Sequence, residues 1–145
     1  MKPLSIFTEK YNKKVDRLIN SVILNDFQGN ELPAIAQWDT GATGTCISHR
    51  VVSSLNIAPF GFQIIQTPSG MMQAEMYKIN LTLNNEVVVN NLTVWDSEIG
   101  NQGIDVLIGM DVIGFGDFAI SNFNGETQFT FRVPSLEHID FTEEQ

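Results

Sequence analysis

An all-β domain with one short helix is the fold class that the sequence predicts, and three observations carry it. Apolar residues come in short runs, none near the ~20 residues of a membrane span. Turn-forming stretches separate those runs, at Gly29-Asn30, Pro68 to Gly70, Asn84-Asn85 and Asn124-Gly125. Residues 49–56 are the clearest stretch to space their apolar side chains as a helix does. At 145 residues, 43% hydrophobic and 10% aromatic, the chain suits one domain with a sizeable core, and a disordered chain is excluded.

In chain order, residues 15–24 (VDRLINSVIL) read as a strand or as a short helix entering one. Residues 26–32 turn around Gly29-Asn30, and the strand 33–38 delivers Asp39 to a tight loop containing Gly41 and Gly44. Ser48 is placed to cap a short helix over 49–56, with Val51, Val52 and Leu55 on one face, and Pro59 and Gly61 end it. A strand over 62–67 runs into TPSGMM (67–72), a hairpin tip. Residues 73–83 alternate, Asn84-Asn85 turns, and 86–96 returns. A polar loop over 97–103 precedes 104–108, a near-continuous apolar strand of the kind buried on both faces. Residues 111–115 fit one helical turn. The segments 118–121 and 127–133 then flank Asn124-Gly125, the sharpest hairpin signal in the chain. The tail after Pro134 is acidic and expected to fray unless a partner subunit orders it.

The net charge of −9 is unevenly placed. Residues 1–17 carry Lys2, Lys10, Lys13, Lys14 and Arg17 against Glu9 and Asp16, a basic arm of +3 that leaves −12 on the remainder. So acidic a body repels nucleic acid, and the arm reads as a solvated face rather than a partner-binding segment. The first residues lack the apolar core and cleavage site of a signal peptide, and the single Cys46 has no internal disulfide partner. A soluble, cytoplasmic protein without a membrane partner is the expectation. On this reading Asn80-Leu-Thr82 and Asn91-Leu-Thr93 match the glycosylation sequon by chance.

Other motifs are set aside on physical grounds. Gly114 to Ala119 fits a dinucleotide fingerprint, but a β-hairpin follows where a long helix is needed to receive phosphate. Cys46 and His49 suggest a thiol and a base, yet a buried, inert Cys46 fits better. His49 and His138 have no ligand spacing around them, so no metal and no cofactor is expected.

Asp39 followed by Thr40 and Gly41 is ordinary turn chemistry when taken alone. A second stretch, DVLIGMDVIG at 105–114, changes the weight. Together with QWDTGATGTCIS at 37–48 it resembles the paired motifs of the retropepsin-like aspartic proteases. In that family a hydrophobic strand enters D-[ST]-G-[AS], filled here by Asp39, Thr40, Gly41 and Ala42, and Thr45, Cys46, Ile47 and Ser48 continue the pattern. Downstream, Val106, Leu107, Ile108, Gly109, Met110 and Asp111 supply the aliphatic-Gly-x-Asp motif. Retroviral members pair an acidic residue with an Arg where this chain has Thr43 and Met110, so it sits nearer cellular or bacterial relatives. Both charges are missing together, which leaves none buried and unpaired.

The resemblance implies a closed retropepsin-like β-barrel with one short helix and a flap hairpin. It divides the chain into a basic arm (1–17), a protease domain (18–133) and an acidic tail (134–145). It implies an aspartic endopeptidase acting on a polypeptide substrate. Asp39, Thr40 and Gly41 take the catalytic roles. Ala42 contacts substrate backbone, Ser69, Gly70 and Met71 form the flap tip, Leu107 lines a side-chain pocket, and Gly109 and Asp111 support the loop. Peptide hydrolysis of this type needs two carboxylates. The sequence holds one D-T-G, so the second Asp39 comes from another copy in a symmetric homodimer. The competing reading is a catalytically inactive dimeric peptide-binding or assembly module on the same fold. Asp39, Thr40 and Gly41 standing together argue against it, because a binder needs none of that chemistry.

Overall fold

The computed structural model describes residues 4–143, Thr67 by its backbone alone. Lys2 of the basic arm and residues 144 and 145 of the acidic tail lie outside them. The described chain is mostly β, with two short helices.

The stretch for which helix and strand both fitted is a strand. In β2 (Leu18–Asn25) the side chains of Asn20, Val22 and Leu24 are buried, while Ser21 and Ile23 face solvent, the two-residue period of a half-buried strand. It pairs antiparallel with β3 (Glu31–Trp38), which buries Ala34, Ala36 and Trp38. Asp26 holds the turn between them by accepting from the backbone N–H groups of Gln28 (2.8 Å) and Asn30 (2.9 Å). The Asn30 side chain also donates to it, and these bonds lower the carboxyl pKa. After the loop come β4 (Cys46–Ile47) and α1 (His49–Leu55). Ser48 holds the N-cap position of α1 without a side-chain cap bond; its hydroxyl donates to Asp105 instead, at 3.3 Å.

The next strands are β5 (Gly61–Thr67), β6 (Gly70–Thr82) and β7 (Val88–Asp96), antiparallel neighbours in chain order. The polar loop after β7 contains a 3-10 turn at Gly100–Gln102. Then come β8 (Val106–Ile108), α2 (Met110–Ile113), β9 (Asp117–Ser121) and β10 (Gln128–Val133). Asn124 and Gly125 both take positive φ, 56° and 74°, between β9 and β10.

Seven strands form one sheet in the order β2-β3-β8-β4-β7-β6-β5. The pairing returns from β6 to β2 through Ile23↔Thr82, Leu24↔Leu81 and Asn25↔Asn80, so six of these strands form a ring of backbone hydrogen bonds. Inside it, β8 lies parallel to β3 and antiparallel to β4. A smaller sheet has the order β1-β10-β9, where β1 is Ser5–Lys10. That strand was not legible in the basic arm, because only Phe7 of its six residues is buried and no apolar alternation announces it.

The two sheets meet in an aromatic cluster. Trp38 lies 5.6 Å from Phe118 in a stacked arrangement and 5.1 Å from Phe131. Phe7 and Phe129 complete the contact at 5.6 Å each, distances at which ring pairs attract beyond the burial of their area. The Trp38 indole N–H donates to Asn20 at 2.8 Å, so its polar atom is satisfied in the core. Asp39 follows the most heavily packed residue of β3, which fixes where the loop begins. Among the described residues no helix is long and apolar enough to cross a membrane.

Candidate active site

The backbone N–H of Asp39 donates to Ile108 at 2.9 Å, extending the β3–β8 ladder by one residue before the chain turns. The turn is closed locally. Gly41 N–H donates to Asp39 Oδ1 at 2.8 Å, and Ala42 N–H to the Asp39 carbonyl at 3.2 Å. Asp39 is half-buried, while Thr40 and Gly41 are exposed beside it. One carboxylate oxygen is therefore held by backbone, and Asp39 lines a hollow of about 350 Å³ together with Thr40, Gln37 and Arg17. A second hollow of about 460 Å³, also lined by Thr40, is bounded by Met110 and by Glu137 to Ile139 of the tail.

The support beneath the loop comes from the second motif. Met110 N–H donates to Ala42 at 2.8 Å and Asp111 N–H to Thr43 at 3.2 Å, which clamps the loop onto the start of α2. The Asp111 carboxylate accepts from Thr45 twice, from the hydroxyl at 2.7 Å and from the N–H at 3.0 Å. The same fully buried hydroxyl accepts from Gly109 N–H at 3.2 Å. Gly109 sits so close to the loop that a Cβ there would lie 2.7 Å from the Gly44 carbonyl oxygen and 2.8 Å from that of Ala42. Only glycine fits the approach.

Leu107 faces Gln37 across the parallel β3–β8 pair and Cys46 across the antiparallel β4–β8 pair. Asp39 to Ala42, Leu107, Gly109 and Asp111 are thus gathered into one constellation. Ser69, Gly70 and Met71 stand on another element, the end of the β5–β6 hairpin. There Thr67 pairs with Gly70, Gly70 has φ of +115°, and Met71 is 66% exposed. That hairpin is tied back to the loop through Trp95, whose indole N–H donates to Gln63 of β5 at 3.0 Å and whose ring lies against Gly44.

Cys46 is half-buried, and burial followed by the nearby Asp111 charge pushes its thiol pKa up, so it stays protonated and a poor nucleophile at neutral pH. His49 turns to Asp96 instead, with Nδ1 2.6 Å from Oδ1. Arg17 and Gln37, which line the hollow with Asp39, were given no site role from sequence: Gln37 opens the first motif without one, and Arg17 reaches the site because it leads into β2, which pairs with β3.

A family model described as aspartyl protease matches residues 24–112. No curated protein matches the chain. Among solved structures, the chain is similar to a retropepsin-like aspartic protease from Rickettsia conorii, with a TM-score of 0.57 and 13% identity over 90% of this chain and 95% of that one. It is also similar to EIAV protease complexed with the inhibitor HBY-793, with a TM-score of 0.53 and 17% identity over 72% of this chain and 90% of that one. At these identities the likeness is one of fold.

Proposed function

Because the chain belongs to the retropepsin-like aspartyl protease family, we propose that it is an aspartic endopeptidase whose centre is a pair of Asp39 carboxylates, one from each copy of a homodimer. The observation that carries this reading is the Asp39 loop. It presents a half-buried Asp39 with one carboxylate oxygen bonded to Gly41 N–H at 2.8 Å, in the lining of a hollow.

One carboxylate is ionised and takes a proton from the attacking water. The other, protonated, gives its proton to the carbonyl oxygen of the peptide bond. Each chain supplies one such group, and a two-fold axis through the loop brings the two together. The exposed Thr40 hydroxyl is placed to bond across that axis. Ala42 takes substrate backbone, Leu107 lines a side-chain pocket, and Gly109 and Asp111 hold the loop. The β5–β6 hairpin, with Ser69, Gly70 and Met71 at its end, closes over the substrate as a flap. The ring of strand pairings supports reading the large sheet as a closed barrel.

Asp39→Asn is expected to remove peptide cleavage while leaving the sedimentation coefficient and the thermal midpoint of the dimer in place. Sedimentation over a concentration range that finds only monomer in an actively cleaving preparation overturns the homodimer. Residual turnover by Asp39→Asn overturns the mechanism.

A further inference from the structure

We propose that Arg17 and Gln37 form a subsite for an acidic side chain of the polypeptide substrate, within about two residues of the bond to be cleaved. The proposal rests on the protease reading of Asp39.

β3 buries Ala34, Ala36 and Trp38, so Gln37 and Asp39 project from its other face. The Asp39 N–H still bonds to β8, which keeps the strand period through that residue. The two side chains line one hollow of about 350 Å³, their attachment points about 7 Å apart by the rise of a strand. An extended substrate with its cleaved bond at Asp39 lays a neighbouring side chain over Gln37.

Arg17 is half-buried. Its Nε–H donates to Gln37 Oε1 at 2.9 Å and its Nη2 to the Gln102 carbonyl at 2.9 Å. Both acceptors are neutral, and Arg17 joins none of the ion pairs among the described residues. In a chain of net charge −9 this guanidinium is held in place by groups that leave its charge uncompensated. Two of its five N–H donors are used, and the others stay open. A guanidinium only donates, so it fixes the orientation of the Gln37 amide: Oε1 faces Arg17, and the Nε2 hydrogens become a second set of donors. Lys14 adds a cation to the same hollow, whose acidic residues are the exposed Asp16 and Asp39 itself. A site that offers donors from a charged fork and an amide matches a carboxylate, which accepts and does not donate.

Starting from any peptide the protein cleaves, matched peptides with Glu, Gln or Leu at each of the four positions nearest the cut are compared by kcat/KM. A charge-assisted hydrogen bond is about twice as strong as a neutral one. The expected preference for Glu over Gln at one position is about tenfold. Arg17→Met should abolish that preference by lowering kcat/KM for the Glu peptide, while Arg17→Lys keeps part of the preference. Gln37→Leu, which frees the guanidinium, should weaken it and gives a second reading if Arg17→Met does not fold. Equal cleavage of Glu and Gln peptides by wild type, or a preference that survives Arg17→Met, overturns the proposal.

Binding supplies the arm that does not need turnover. Acetyl-Ala-Glu-Ala-amide, but not its Gln counterpart, should shift the NMR signals of Arg17 Nε–H and Gln37 Nε2. If no peptide is cleaved and those shifts occur, Arg17 and Gln37 bind a carboxylate, but the protease reading falls and takes with it the subsite's place beside a cut bond. If cleavage occurs with neither shift nor preference, the subsite falls alone.

Discussion

At the scale of single residues, Gly109 decides whether the loop and the strand beside it can share their space. A Cβ there would meet two backbone carbonyl oxygens below 3 Å, and backbone cannot rotate aside as a side chain does. Gly109→Ala should therefore displace the Ala42 to Gly44 segment and cut kcat about a hundredfold, the order of loss that goes with misplacing a reacting group by about an ångström. A matched-peptide kinetic comparison checks this, and an alanine variant with wild-type kcat would show that the loop tolerates the shift. In sequence this glycine was marked only by the resemblance, as the Gly of the aliphatic-Gly-x-Asp motif; the steric demand on it became visible in the fold. Thr45 was less legible still. Its role depends on bonding Asp111 and Gly109 at once, and that contact spans more than sixty positions in the chain. The same holds for Arg17 and Gln37, whose partnership depends on the β2–β3 register and not on local spacing.

At the scale of elements, hairpins were read well and short strands poorly. Gly29-Asn30 and Asn124-Gly125 announce their turns because few residues accept a positive φ, and β2, β3 and β10 beside them alternate. β4 has two residues and β1 a single buried one, too little for a period to show. Yet β1 is firmly attached. Its register with β10 runs from Ser5↔Val133 to Lys10↔Gln128, and Phe7 enters the aromatic cluster within 5.7 Å of Phe129 and 5.6 Å of Trp38. Phe7→Ala is expected to cost about 3–5 kcal/mol, the range for emptying a buried aromatic site. A urea titration checks it, and a loss below about 1 kcal/mol would mean that β1 is held by its backbone pairing alone. The β5–β6 hairpin is the opposite case. Met71 and Met72 at its end are 66% and 47% exposed, few of their atoms are packed, and opening should be easiest there.

At the scale of the whole molecule, the acidic body carries carboxylates whose pairing sets a lower limit of pH for the fold. Asp117 is 9% exposed; it accepts from Ser135 at 2.5 Å, from Leu136 N–H at 2.8 Å and from Arg132 at 2.7 Å. These bonds, Ser135 first, hold its carboxyl well below the usual range. A depressed folded pKa gives stability that is fully present above the unfolded value of about 3.9 and is lost as pH falls beneath it. The thermal midpoint of wild type should start to drop near pH 5 and keep falling toward about pH 1, and Asp117→Asn should flatten that slope while starting from a lower value. An equal slope in the variant would assign the acid response to other groups. Asp117 also fastens the acidic tail to β9, since two of its partners lie beyond β10. The small sheet that carries it has a further consequence, for the order of events during synthesis. Its outer strand is translated first and its central strand last among the strands; the hydroxyls of Thr8 and Thr130, 3.0 Å apart, are 122 positions distant along the chain. At about 5–20 residues per second, the ribosome keeps β1 waiting on the order of ten seconds for its mate. Until the residues of β10 have cleared the exit tunnel, Phe7 and Trp38 lack Phe129 and Phe131 to close over them. From the synthesis of β1 to that of β10 the nascent chain thus keeps an open, sticky flank, and pairing between strands so far apart in sequence makes its closure slow.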